Sequence, residues 1–237
     1  MKKLLLILLL TIPFVGFGQN ENTKLYYENG QLQIEVVLEN GKGYGKMYHE
    51  NGQLQGEGKY TDGEKDGVWK EYLENGKLTS ETQFNNGNVI YSFYEYYKTG
   101  NLEEVVSWLD PDGDPNTSEL TIKDRISSKW FYENGQLRDE INYSNGEEDG
   151  LKRIYYENGQ LQFEVRFKNG KEDGPIKSYH QNGKIWFEGK YVNGEEDGIS
   201  KEYNKNGGLI REFKNENGVF IYEKCWDEDG NEIECEE

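Results

Sequence analysis

Apolar side chains recur along this chain with a period of two, in short runs that stop at glycine-bearing turns. Leu151, Arg153 and Tyr155 share a face before Glu157-Asn158-Gly159, and Leu161, Phe163, Val165 and Phe167 share one after it. That alternation predicts half-buried β-strands, and glycine at every turn opposes helix. A three-residue hairpin loop with Gly159 in the left-handed position sets Tyr156 opposite Gln160 and Tyr155 opposite Leu161. Continued without interruption, the register puts Arg153 opposite Phe163 and Leu151 opposite Val165. Both apolar series then fall on one face, and Gln160, Gln162, Glu164, Arg166 and Lys168 turn to water.

The same phrase returns throughout. The turn glycines Gly30, Gly52, Gly76, Gly100, Gly135, Gly159, Gly183, Gly207 and Gly230 are spaced by 22, 24, 24, 35, 24, 24, 24 and 23 residues. The residue four before each is aromatic (Tyr26, Tyr48, Tyr72, Tyr96, Phe131, Tyr155, Tyr179, Tyr203, Trp226), and its expected partner is Leu or Ile in all but the last copy. There Ile233 is the nearest apolar residue, which would pair it with Trp226 and leave Cys225 beside residue 234. A fixed period of this length marks a repeat architecture whose units bury surface only against their neighbours.

A second turn closes each unit: Asn40-Gly41, Asp62-Gly63, Asn86-Gly87, Asn145-Gly146, Asn169-Gly170, Asn193-Gly194 and Asn217-Gly218 are hairpin dipeptides. An aromatic such as Phe167 often precedes them, and a second glycine such as Gly174 follows in the fuller form Gly-Lys/Glu-x-Asp-Gly. Each unit of about 24 residues is thus two strands and two turns. The expected fold is all-β: an elongated, single-layer antiparallel meander of tandem hairpins. Tyr155, Gly159, Leu161, Phe167, Gly170 and Gly174 are its structural signature.

The 35-residue spacing marks an irregular insertion at 103–130, between N-terminal repeats at 19–102 and C-terminal repeats at 131–237. Within it, Asp110-Pro111-Asp112-Gly113-Asp114-Pro115 is turn-forming and hostile to strands. Asp110, Asp112 and Asp114 have the spacing of calcium-loop carboxylates, but Gly113 is fourth rather than sixth and Thr121 stands where a Glu is needed. The run is a plain acidic loop or a weak calcium site. Residues 119–126 fit an extra strand or a helical turn.

Lys2 and Lys3 precede an apolar run from Leu4 to Ile12, and small residues follow at Gly16 and Gly18. Residues 1–18 therefore read as a secretory signal peptide cleaved before Gln19, too short to span a bilayer, which places the mature chain in the periplasm or outside the cell. In that setting Cys225 and Cys235 are disulfide candidates.

The net charge is -18, with 27 Lys and Arg against 45 Asp and Glu. That excludes nucleic acid and opposes anionic lipid, and it permits a basic partner. Low hydropathy and high charge alone suggest disorder, but 18 Tyr at fixed positions argue for order.

No nucleophile elbow, phosphate loop or zinc-protease motif is present, and no cofactor is implied. His49 and His180 occupy the same repeat slot as Tyr27, Tyr132 and Tyr156, and Glu28, Glu50, Glu74, Glu133 and Glu157 recur in one loop slot. Both series read as repeat positions rather than catalytic groups. Tyr27, Tyr132 and Tyr156 are expected to face outward as contact residues.

Residues 155–162, Tyr-Tyr-Glu-Asn-Gly-Gln-Leu-Gln, followed by Phe167-Lys168-Asn169-Gly170-Lys171-Glu172-Asp173-Gly174, resemble the MORN-repeat variant of bacterial proteins, often of the YwqK type and labelled antitoxin components. The resemblance covers most of residues 24–230. It implies an extended sheet of hairpins and a binding or scaffolding role rather than catalysis. The expected function is an exported, non-enzymatic protein–protein interaction module. An antitoxin or immunity-like protein, and a carbohydrate or cell-wall binder using outward tyrosines, are the alternatives.

Overall fold

A computed structural model describes residues 20–85, 88–110 and 121–235. The expected leader, and Asp112 and Asp114 of the acidic loop, lie outside them. Tertiary contacts divide the described residues into two units, 20–91 with Asp110 and 92–109 with 121–235. The division falls inside the strand at Asn88–Tyr96 and again before Asp110, the last residue of the strand at Leu102–Asp110.

The first unit contains β1 (Glu21–Tyr26), β2 (Leu32–Glu39), β3 (Lys42–Tyr48), β4 (Leu54–Thr61), β5 (Glu64–Tyr72), β6 (Leu78–Asn85) and the start of β7 (Asn88–Tyr96). From β1 to β6 each strand pairs antiparallel with the next.

The second unit holds the rest of β7 and β8 (Leu102–Asp110) up to Leu109. A 3-10 turn at Ile122–Asp124 leads into β9 (Arg125–Phe131). Then come β10 (Leu137–Ser144), β11 (Glu147–Glu148), β12 (Gly150–Tyr155), β13 (Leu161–Lys168), β14 (Lys171–Tyr179) and β15 (Ile185–Val192). The chain finishes with β16 (Glu195–Glu196), β17 (Gly198–Tyr203), β18 (Leu209–Glu216), β19 (Val219–Trp226) and β20 (Glu232–Ile233). Strand pairing is again antiparallel between sequence neighbours, with β11 and β16 as short interruptions. The described residues of the expected insertion at 103–130 are mostly strand: β8 and β9 pair through Glu104↔Trp130 to Trp108↔Arg125.

Both kinds of turn form for the expected reasons. Tyr156 and Gln160 close the three-residue loop through Tyr156 N–H to Gln160 O at 2.8 Å, and Gly159 takes φ +84°. At the other turn Asn169 and Gly170 adopt φ +50° and +74°, the paired left-handed conformation that matches strand twist. The second glycine of Gly-x-x-Asp-Gly serves a bulge: Val165 pairs with Ile176 but Phe167 with Glu172, so the extra residues around Gly174 (φ +138°) bow out of the ladder.

One expectation about register is corrected. Tyr155 does pair with Leu161, but a bulge comes immediately after, and Ile154, not Arg153, lies opposite Phe163. Arg153 pairs with Glu164, Lys152 with Val165 and Leu151 with Arg166. The same shift accompanies the first pair at Leu25/Tyr26, Met47/Tyr48, Glu71/Tyr72, Ser178/Tyr179 and Glu202/Tyr203. Because side chains alternate, one extra residue exchanges the faces of everything beyond it. The tyrosines and the buried aliphatics therefore do not form one apolar stripe.

The buried face carries Val36 (2% exposed) and Trp69 (4%) in the first unit, and Ile141 (3%), Val165 (1%) and Ile176 in the second. Its side chains lie down on glycines of adjoining strands. A Cβ on Gly58 would meet Trp69 Cδ2 at 2.3 Å, and one on Gly45 would meet the Tyr60 ring at 2.6 Å. Trp69 and Tyr60 pack edge to face at 5.1 Å, and the indole N–H donates to Lys59 O at 2.9 Å. Rings laid over glycines bury apolar area without a second layer.

Gly58→Ala should therefore destabilise the protein by about 1–3 kcal/mol through overpacking against Trp69. Urea unfolding followed by far-ultraviolet dichroism checks it, and Trp69→Leu in the same chain should recover part of the loss.

Candidate interaction surface

The face opposite the buried one carries a row of charge. In the first unit the cross-strand partners run Lys24↔Glu35↔Lys46↔Glu57↔Lys70↔Glu81. In the second they run Lys129↔Glu140↔Arg153↔Glu164↔Lys177↔Glu188↔Lys201↔Glu212↔Lys224. The sign alternates at every strand. Arg153 reaches Glu140 at 3.3 Å and Glu164 at 3.7 Å, while Lys24–Glu35 and Lys70–Glu81 close to 2.9 and 3.3 Å. Opposite charges directly across a strand pair contribute roughly 0.2–1 kcal/mol each, and like charges there destabilise.

The repeated tyrosines belong to this face. Tyr155 donates its hydroxyl to Glu140 at 3.2 Å, Tyr179 to Glu164 at 3.2 Å, Tyr203 to Glu188 at 2.8 Å and Tyr72 to Glu57 at 3.4 Å. Desolvation first, and then the carboxylate, raise the pKa of Tyr155 and Tyr179, because a phenolate beside Glu is penalised twice. The Tyr203 hydroxyl is pushed up to about 12 by desolvation, then by its bond to Glu188.

The neighbouring aromatic slot joins one repeat to the next. Tyr27, Tyr97, Tyr132 and Tyr156 donate to the carbonyls of Tyr48, Phe131, Tyr155 and Tyr179 at 2.7–2.8 Å. His49 and His180 do the same toward Tyr72 and Tyr203 at 2.8 and 2.9 Å. A carbonyl only accepts, so Nε2 is the donor in both bonds. Tyr27, Tyr132 and Tyr156 are thus half-buried staples rather than the outward contact residues expected. Their hydroxyls satisfy backbone acceptors that a single-layer sheet has no other group to cover.

Loop asparagines add a parallel set. Asn29, Asn51, Asn134 and Asn182 donate to the carbonyls of Glu50, Glu74, Glu157 and Lys205 in the next loops along.

The row of charge is legible in the residues, though the apolar pattern does not point to it. Counting from each turn glycine, the residue six before is Lys or Arg in eight of nine copies, and the residue five after is Glu in every copy from Gly30 to Gly207 except one. The exception to both is the copy at Gly100, which has Tyr94 and Val105.

Of the other expected sites, Asp110 is buried, and among the described residues no three His, Cys, Asp or Glu groups converge as metal ligands. Cys225 and Cys235 are joined by a disulfide with Cα atoms 5.3 Å apart. Trp226 pairs with Glu232 and Cys225 with Ile233, one step from the register expected there. No helix among the described residues is long and apolar enough to cross a membrane.

The family model "MORN repeat variant" matches six segments, 22–40, 42–62, 65–86, 127–145, 148–169 and 172–193. The chain belongs to the MORN repeat variant family. MORN repeats are non-catalytic modules that generally mediate protein or membrane interactions. The six matches stop at 193, whereas antiparallel hairpin strands continue through β19.

No curated protein matches the chain. Two solved structures of TarM, one a mutant of the S. aureus protein in complex with Fondaparinux, alpha-GlcNAc-glycerol and UDP, are each 14% identical with TM-scores of 0.27. They cover 45% and 46% of this chain, which spans only 19% of their length. A porin-like protein from Bacteroides uniformis is 8% identical over 86% of this chain and 96% of its own, with a TM-score of 0.16.

Two predictions test the charge row. Arg153→Glu should destabilise the MORN sheet by about 1 kcal/mol, and adding Glu164→Arg should not restore it. In that double variant the new acid at position 153 faces Glu140, and the new cation at position 164 faces Lys177. Thermal melts of the two single variants and the double check this; an isolated ion pair would recover. Tyr203 should still be protonated at pH 11 in the folded chain. Its raised pKa contributes stability present below pH 10 and lost as the pH rises from 10 toward 12. Absorbance at tyrosinate wavelengths, compared with Glu188→Gln, reads the shift.

Proposed function

We propose that this MORN repeat protein is an exported, non-enzymatic module that binds another polypeptide through its strands and its charged face. The observation that carries the reading is the row of alternating charge with tyrosine hydroxyls set against it. It is a regular, half-exposed polar surface built by all but one of the repeats from Gly30 to Gly207, and it holds no converging metal ligand set among the described residues. Export is supported by the Lys2-Lys3, Leu4–Ile12 leader pattern, and extracytoplasmic residence suits a chain with two cysteines joined. The acidic balance favours a partner with a basic surface over nucleic acid or anionic lipid.

The test is affinity capture on the protein purified from the cell envelope. Intact mass should show a chain starting at Gln19, and a polypeptide should be retained that free protein competes away. A bait still carrying its leader overturns export, and retention of glycan or of nothing overturns the protein-binding reading.

A further inference from the structure

We propose that the charged face of the first unit docks the same face of a second copy of this chain, the two sheets stacked about a two-fold axis that runs along the strands between β3 and β4. This goes beyond the binding of another polypeptide, because the purified protein alone tests it.

Two rows of side chains cross this face. The first is part of the charge row: Glu35, Lys46, Glu57 and Lys70, on β2 to β5. The second stands two residues along each strand, and so on the same side of the sheet: Val37, Tyr44, Lys59 and Val68. Tyr44 pairs across the strands with Val37 on one side and Lys59 on the other. Val37 is 48%, Tyr44 53% and Val68 44% exposed. Exposed apolar side chains grouped on one face mark an interaction site.

Charge then selects the occupant. Turning the face over about the proposed axis reverses the order of its strands, so each row meets itself backwards. Glu35 comes over Lys70 of the second copy, and Lys46 over its Glu57. An alternating row with an even number of members always matches its own reverse in sign, and a two-fold makes the same contact twice. In the second row Val37 comes over Val68 and Tyr44 over Lys59. Within the sheet the Lys59 ammonium already lies 5.9 Å from the centre of the Tyr44 ring, and the half-exposed ring can take the second copy's ammonium as well. Aligned stacking at about 10 Å is an ordinary mode of sheet packing.

Val37 singles this face out. Its slot, seven after the turn glycine, is polar in every other copy, as at Lys59, Gln83, Arg166, Lys190 and Lys214. In the second unit Arg166, Lys190 and Lys214 stand on the strands that carry Glu164, Glu188 and Glu212. Any stacking there that matches signs therefore sets these cations over apolar residues of the same row, such as Pro175 and Ile199. In the first unit matched signs bring valine over valine. The four charges of the first row sum to zero and the second row adds one cation, so the acidic balance of the chain lies elsewhere. Repulsion between two chains of charge -18 is screened beyond about 8 Å at physiological salt.

The experiment is sedimentation equilibrium of the protein purified after expression from its full-length gene, at physiological salt, with far-ultraviolet dichroism to follow folding. Wild type should pass from monomer to dimer as its concentration rises through the micromolar range. Val37→Lys and Val68→Glu each place a charge over a valine of the second copy, and each should weaken the dimer about tenfold or more. Combined in one chain, they set opposite charges face to face at both contacts, and affinity should return to within about threefold of wild type. The cross-strand neighbours of these positions, Asn22, Tyr44 and Gln83, are uncharged, so the dichroism of all three variants should match wild type. A chain that stays monomeric throughout, a dimer indifferent to both single changes, or a double variant no tighter than the singles overturns the proposal.

Discussion

The bulge beside each tyrosine–leucine pair is the constraint on which the sheet depends. A strand has two faces, and one added residue exchanges them. Placed one step beyond the loop, the bulge lets the tyrosine stand on the charged face while Phe163, Val165 and their equivalents turn to the buried one. Without it, Arg153 would lie opposite Phe163, and each repeat would bury a cation beside its aromatics. The hairpin loop, the bulge and the paired left-handed turn act together: the first two set the face, and the last returns the chain in register.

Energetically, the two faces divide the labour. The buried face works by apolar area, with Trp69 laid over Gly58 and Val165 against Ile176. The other face works by many weak charge pairs, each partly screened, whose worth lies in repetition and in register. Between repeats, Tyr156 and His180 donate across to the next carbonyl.

Much of this was readable in the residues. Glycine spacing reveals the repeat, Asn-Gly marks the turn, and loop geometry fixes the closing pair Tyr155–Leu161. The pairing beyond is not legible, because a bulge has no residue signature comparable to glycine in a turn: Gln162 looks like any outward strand residue. The roles of Tyr27 and Tyr132 are hidden for a related reason. Alternation tells which side a ring leaves from, and not that its hydroxyl reaches a carbonyl 21 or 23 residues on. The cation and Glu slots were in plain view, but charged residues on a strand read first as solvated surface.

The alternating sign has a consequence for how such a chain can change length. A repeat contributes two strands, hence one cation and one anion, so whole repeats can be gained or lost without disturbing the sequence of signs. A lone strand cannot, since it would set like beside like at the point of insertion. The copy with Tyr94 and Val105 carries neither sign and so tolerates either phase. A neutral rung of this kind is where two separately grown arrays can be spliced, and it begins in the strand where the two units divide.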